Sequence, residues 1–426
     1  MFTWLFTSTP LAFFIQSFWR DEAFSFFLAK KNIFEIIVLT VKDFNPPFYY
    51  LTLHFWMKIF GSSEIALRSL SLLFYVLTIY IIYDFLKDIF KLNRYKTFTY
   101  LLLFIFNPVL IYYGFEARMY SMFAFFATAS FYFFITKNKK YYLLISILGL
   151  YTHYFMIFVL LSQILYLLIS HPRPLKLKMV LFPYLVFSPW LIFMILQKND
   201  ILNPFWIATA PFKTILFLPF VIFSGYENGI NFPSLYIYFS IFLLLIILIG
   251  IFKFSKKKYF NFFLIWTFLP LLITGIISLY RPIILPRYLI FSTVGFIFLI
   301  VYILNNIKTL PRIIFFTLIL AFIFIYQQKD LKYRRKNNIA KQIKKLKTTA
   351  RKEDLIYISN VLDYFTIQYY FGENKVYLFN QDYNAIPSYV GKILIPKEKF
   401  VNTLPAYPKR AFILKNNWEY DIISTY

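Results

Sequence analysis

LYIYFSIFLLLIILIGIF, Leu235 to Phe252, is a run of eighteen residues without a charge. As a helix it reaches about 27 Å, close to the hydrocarbon thickness of a bilayer. Runs of this kind recur from the N-terminal residues to about residue 327, and the chain of 426 residues is 60% hydrophobic and 23% aromatic with a mean hydropathy of +0.63. One soluble core cannot hold so much apolar surface, so the expected fold is a polytopic α-helical membrane protein. Eleven spans are predicted, at about 2–19, 66–86, 97–114, 119–136, 141–151, 154–170, 179–196, 235–252, 261–279, 288–304 and 311–327. The fifth is short, and 212–224 reads as a re-entrant or surface helix. The first run has no small-residue cleavage site and is expected to be a retained span rather than a signal peptide.

A net charge of +26 raises nucleic acid as a partner, but much of the excess sits in short loops between spans. With the N-terminus inside, the loops 87–96, 137–140, 171–178, 253–258 and 305–312 carry sixteen Lys and Arg. The short outer loops carry four: Arg118, Lys198, Arg281 and Arg287. That asymmetry predicts a multi-pass membrane protein with the first long loop and the C-terminal part outside the cytoplasm, and no nucleic acid among its partners. The chain has no cysteine, which excludes disulfides, cysteine nucleophiles and thiolate metal sites.

The acids partition the other way. Eight of the ten Asp and Glu before residue 329 fall on the expected outer side: Asp21, Glu22, Glu35, Asp43, Glu64, Glu116, Asp200 and Glu227. A carboxylate costs roughly 2.5–3.5 kcal/mol at the centre of a membrane helix, so acids clustered at one face point to function. FWRDEAFS, Phe18 to Ser25, puts two of them side by side where the first span ends. The loop that follows, 20–65, is predicted to hold two membrane-surface helices. One bears Phe24, Phe27 and Leu28 on a single face, and the other covers PPFYYLTLHFWMKIFG, Pro46 to Gly61, which is too short to span.

Beyond Gln328 the composition changes, with 18 basic and 9 acidic residues in 329–426. Residues 328–352 read as a basic linker or helix. Strand-like DLIYIS, NKVYLF, GKILIP and RAFILK, with a helix across LDYFTIQYYFGE, predict a small α/β domain over 353–426, outside the membrane. It shows no phosphate-binding glycine loop and no nucleophile constellation. Residues 1–327 are the expected membrane domain.

WRDEAFS, then DFNPPFYYLTLHFWMKIFGSSEIALR (Asp43 to Arg68), YYGFEARMYS (Tyr112 to Ser121) and LYTHY (Leu150 to Tyr154) follow one another in a known order. Over roughly residues 1–300 the chain resembles a bacterial member of glycosyltransferase family 39. That family holds the protein O-mannosyltransferases and lipid A aminoarabinose transferases, of GT-C membrane fold. The resemblance implies transfer of one hexose or pentose from a polyprenyl-phosphate carrier to a lipid, protein or glycan acceptor on the outer face, with inversion. Such a sugar departs through an oxocarbenium-like transition state, and a carboxylate by the anomeric carbon takes the proton of the incoming hydroxyl.

On this resemblance Asp21 is the base, Glu22 orients it, and Asp43 is a second acid near the site. Asp21 as a helix cap and Asp43 as the start of a turn are the plain structural readings. The family commonly has His where this chain has Asn45, and an amide is a poor ligand for divalent metals, so no cofactor is assigned. Tyr49 and Tyr50 read as sugar-packing side chains or interface anchors. Glu116 and Arg118, placed at a helix end, point about 200° apart there. Arg118 at an outer helix end has no positive-inside reason to exist and suits the donor phosphate. Arg287 and Tyr288 form a second such candidate, with snorkelling as the plain reading. His153 is either a substrate contact or a structural residue, and His54 and His171 are structural. The alternative from another class is a transporter or flippase of lipid-linked saccharides, whose charges line a path deep in the membrane. A non-catalytic scaffold would not need the Asp–Glu pair.

Overall fold

The structure, a computed structural model, describes all residues except 1, 44, 171–173, 198–206, 208–216, 228–232, 416–418 and 426. Lys198, Asp200, His171 and part of the 212–224 segment lie outside the described residues. The chain divides into two compact units, one of residues 1–13 and 68–334 and the other of 14–67 and 335–426. The loop after the first apolar run thus belongs to the same unit as the C-terminal region.

The first unit is helical. Six helices among the described residues are long and apolar enough to cross a membrane: Glu64–Asp88, Leu177–Gln197, Ser234–Phe254, Lys258–Ser278, Pro286–Asn306 and Thr309–Tyr333. The pair Arg94–Ile105 and Pro108–Gly114 makes a seventh if the two are one span, bent by 68°. Proline causes that bend. Pro108 has no N–H and disfavours a helical Asn107. Asn107 instead caps the second piece through the Val109 and Leu110 N–H groups, and its amide donates to the Phe223 carbonyl at 2.8 Å. Tyr120–Ile135 and Met156–Ile169 are shorter helices within predicted spans, and Lys139–Leu150 overlaps the span predicted at 141–151 but starts in the predicted loop 137–140. The first predicted span differs. It is two short helices, Phe2–Ser8 and Ala12–Ile15, interrupted at Pro10.

Helices deprived of water are held by close packing and by hydrogen bonds between helices. Trp266 stacks on Phe131 at 3.9 Å, donates to the Phe291 carbonyl, and fills the space a side chain at Gly295 would need. Ser130, Ser146, Gln163 and Tyr142 form a buried chain, with Tyr142 donating to Gln163 at 2.7 Å and Gln163 to Ser130 at 3.0 Å.

The second unit contains a five-stranded sheet: β1 Leu355–Ile358, β2 Val376–Phe379, β3 Phe400–Val401, β4 Ala411–Leu414 and β5 Tyr420–Ile423, in the order β3-β2-β1-β4-β5. All pairings are parallel except β4 with β5. Three of the four predicted strands are present. GKILIP is not a strand, because Gly391 takes a left-handed φ of 82° and Lys392–Leu394 forms a 3₁₀ turn before Pro396. β3 and β5 were not predicted, the first being two residues long and the second an edge strand. The predicted helix is Tyr364–Phe371, and the basic segment includes the helix Ile339–Thr349, which buries Ile339, Ile343 and Leu346 at helical spacing.

The helix Arg20–Ala29 corrects the surface-helix reading. Ala23, Phe24, Ser25, Phe26, Leu28 and Ala29 are all buried, so it is a core helix, with Phe24 and Phe26 against Phe365 and Tyr369. The second predicted surface helix is Phe48–Phe60, which keeps Phe55, Ile59 and Phe60 exposed.

Asp354 locks the sheet domain to its preceding turn. Burial opposes its charge, but hydrogen bonds from Arg410 and from the Arg351 N–H outweigh that and hold its pKa below the usual carboxylate value. A depressed native pKa stabilises the fold fully above the unfolded value of about 4, and that contribution is lost as pH falls through the native value. The Asp354→Asn variant is therefore expected to melt several degrees lower at pH 7, and the gap should narrow as pH falls below the unfolded value of about 4. Thermal scans of the full chain across that pH range check this.

Candidate active site

In the second unit the paired acids separate by role. Trp19 is extended and precedes the helix Arg20–Ala29, so Asp21 and Glu22 occupy its first turn, where carboxylates are favoured. Glu22, not Asp21, serves the helix start: its carboxylate accepts the Trp19 N–H at 2.9 Å. The capping reading of Asp21 is thereby corrected. The same oxygen of Glu22, fully buried, binds Lys336 Nζ at 2.9 Å. Asp21 lies about 100° around the helix and is half-buried. Beside them, Arg20 pairs with Asp363 at 2.9 Å, and Tyr370 joins the Phe18 N–H to Glu64.

Asp43 is buried in the turn after the helix Ile33–Val41, and Asn45 is half-buried two residues on. Tyr49 and Tyr50 are both buried, which corrects their reading as anchors at the membrane surface. Tyr50 meets Phe24 edge-on, and His54 Nδ1 lies 2.8 Å from the Ala29 carbonyl, so the helices Arg20–Ala29 and Phe48–Phe60 are fixed to each other. His54 is structural, as expected.

In the first unit the candidates converge. Glu116 and Arg118 are not on a helix, contrary to the sequence reading. They stand in a bend between Pro108–Gly114 and Tyr120–Ile135, where the Arg118 N–H bonds the Glu116 carbonyl at 2.7 Å. The 200° separation therefore does not apply, and both side chains are buried. The Arg118 guanidinium lies 5.9 Å from the Tyr120 ring. Tyr120 and His153 are 6.2 Å apart, and His153 is 5.2 Å from Tyr288. Arg287 sits 5.8 Å from the Tyr288 ring and is held by Glu227 at 2.9 Å, whose other oxygen accepts Tyr113 Oη at 3.1 Å. Arg118, His153, Arg287 and Tyr288, scattered over 170 residues of sequence, thus form one cluster with Tyr113, Tyr120 and Glu227.

His153 lies in the turn between Lys139–Leu150 and Met156–Ile169, stacked on Phe123 at 4.7 Å and 12°. Burial, with the Arg118 charge adding to it, lowers its pKa to about 3. Its Nδ1 accepts the Phe155 N–H at 3.2 Å, which leaves the ring proton on Nε2, an atom with no hydrogen-bond partner among the described residues. Only three histidines occur in the chain, so ring-¹⁵N spectra are assignable. They are expected to show His153 as one neutral Nε2–H tautomer down to pH 5, whereas an ordinary histidine charges near 6.5. Because the unfolded chain takes up that proton first, stability from His153 is complete above about pH 6.5 and falls as pH drops towards 3.

Sequence reading missed two partners. In the sequence Glu227 is one of eight outer acids and Lys336 one lysine in a basic run. Tyr113 and Tyr120 lay within the quoted YYGFEARMYS, which was a usable signal. Among the described residues no group of three or more His, Asp or Glu side chains is arranged to hold a metal.

Residues 45–196 match the family described as dolichyl-phosphate-mannose-protein mannosyltransferase. No curated protein matches the chain in sequence. Two crystal structures are similar in fold. ArnT from Cupriavidus metallidurans in the apo state aligns at 11% identity with a TM-score of 0.64, over 96% of this chain and 91% of that one. The same protein bound to undecaprenyl phosphate aligns at 12% identity and 0.63, over 98% and 94%. The helical unit, the small sheet domain and these matches agree: the chain has the GT-C fold, and its residues 45–196 match the dolichyl-phosphate-mannose-protein mannosyltransferase family.

Proposed function

We propose that the protein is a membrane glycosyltransferase that moves one sugar from a polyprenyl-phosphate donor to a hydroxyl-bearing acceptor outside the cytoplasm, with inversion. The observation that carries this reading is the likeness along nearly the whole chain to a structure that binds undecaprenyl phosphate, joined to the family match over residues 45–196. Asp21 is the general base. It takes the acceptor hydroxyl proton as that oxygen attacks the anomeric carbon, while the bond to the phosphate oxygen breaks and polyprenyl phosphate leaves. Glu22 is unsuited to that task, because its buried carboxylate is already committed to the Trp19 N–H and Lys336. It fixes the first turn on which Asp21 stands. Arg118 and Arg287 supply the charge that the departing phosphate monoester needs, and Glu227 sets the Arg287 guanidinium.

Membranes containing the protein, given a polyprenyl-phosphate-linked radiolabelled sugar, should release polyprenyl phosphate and move label to an acceptor with opposite anomeric configuration. Movement of the intact donor across vesicles without sugar release would replace this reading by that of a flippase. Arg287→Lys keeps the charge but not the fork held by Glu227, and is expected to cut turnover by about tenfold or more in that assay.

A further inference from the structure

A trough crosses the second unit where the helix Ile33–Val41 meets the turns around Leu394. It consists of two cavities of about 330 and 320 Å³ that share Lys31, Glu35, Leu394 and Pro396. One is lined by Lys30, Asn32, Gln368, Asn374 and Lys399, and the other by Phe34, Val38, Leu39, Ile393 and Ile395. One end is thus cationic and rich in amides, the other apolar.

We propose that this trough seats an anionic membrane lipid, with its phosphate diester at Lys31 and Lys399 and its chain along Phe34. The carboxylates that line it do not neutralise those two lysines. Glu373 is paired with Lys30, and Glu35 exchanges hydrogen bonds with Asn32, accepting its N–H at 3.2 Å while Asn32 Oδ1 accepts that of Glu35 at 2.9 Å. Among the described residues no carboxylate forms an ion pair with Lys31 or Lys399. Lys399 is buried, donates to the Asn374 carbonyl at 3.0 Å and lies 4.4 Å from the Tyr377 ring. Burial pulls its pKa down against the opposing charge of Glu398, so an anion at the ammonium restores what water no longer gives. Phe34 is 74% exposed and Ile33 44%, apolar surface that an acyl chain covers. A soluble anion needs only the cationic end and a neutral lipid only the apolar one. The joined halves fit a molecule that has both.

The test uses the full chain in vesicles and phosphatidylglycerol carrying a photoreactive group in its acyl chain. Cross-links are mapped by peptide mass spectrometry. Adducts on 33–39 and 393–396 are expected, about tenfold weaker in Lys31→Glu and with a phosphatidylcholine analogue, and unchanged in Lys341→Glu, an exposed lysine on another helix. Phe34→Ser should also lower them. Lys31 and Phe34 are exposed, so neither change disturbs the core. Adducts absent from both segments, equal for the two headgroups, or unaffected by Lys31→Glu would each overturn the proposal. The readout is binding, so its failure leaves glycosyl transfer standing, and failure of transfer leaves the lipid site standing.

Discussion

Asp21→Asn is expected to lower sugar transfer by about 10²–10⁴-fold while leaving the apparent donor KM near its parental value. The amide has nearly the shape of the carboxylate but cannot take the hydroxyl proton. The loss therefore falls on the transition state and not on ground-state binding. The helix should be unaffected, because its start is held by the Glu22 contact with the Trp19 N–H. Radiolabel transfer at saturating donor, with a thermal scan of the same sample, reads both quantities. Transfer at the parental rate removes Asp21 as the base. A fall in melting temperature that matches the loss of activity would make its role structural.

Lys336→Met is expected to destabilise the second unit by about 3–5 kcal/mol, because it removes a counter-charge from a buried carboxylate. Glu22 is fully buried and the Lys336 side chain is 7% exposed, so water cannot take over the lost partner. Glu22→Gln combined with Lys336→Met removes both charges and should recover most of the loss, since an uncharged pair carries no such penalty. Chemical or thermal denaturation of the two variants and the parent checks this. If the single variant is as stable as the parent, Glu22 and Lys336 do not depend on one another. The pair also joins two stretches 314 residues apart in sequence, so its loss should reduce activity through the position of Asp21.

Hydropathy and charge bias made the helical class, the sheet domain and most elements legible, because each rests on local residue type. The break at Pro10, the turn carrying Glu116 and Arg118, and the failure of GKILIP as a strand were less so. At Pro10 and in GKILIP, proline or a left-handed glycine overrides a favourable apolar pattern, whereas the turn at 115–119 contains neither and has no local breaker to read.

By itself the sequence determined that this chain fills a membrane with helices and carries its paired acids at the end of the first apolar run, since burial of apolar side chains and the cost of charge in hydrocarbon act on composition alone. Only the tertiary structure decided that Glu22 holds the helix start and pairs with Lys336, and that Arg118, His153, Arg287 and Tyr288 share one cluster. Those facts depend on partners hundreds of residues away, such as Lys336 for Glu22, and an ion pair is set by distance in space, which no local pattern encodes.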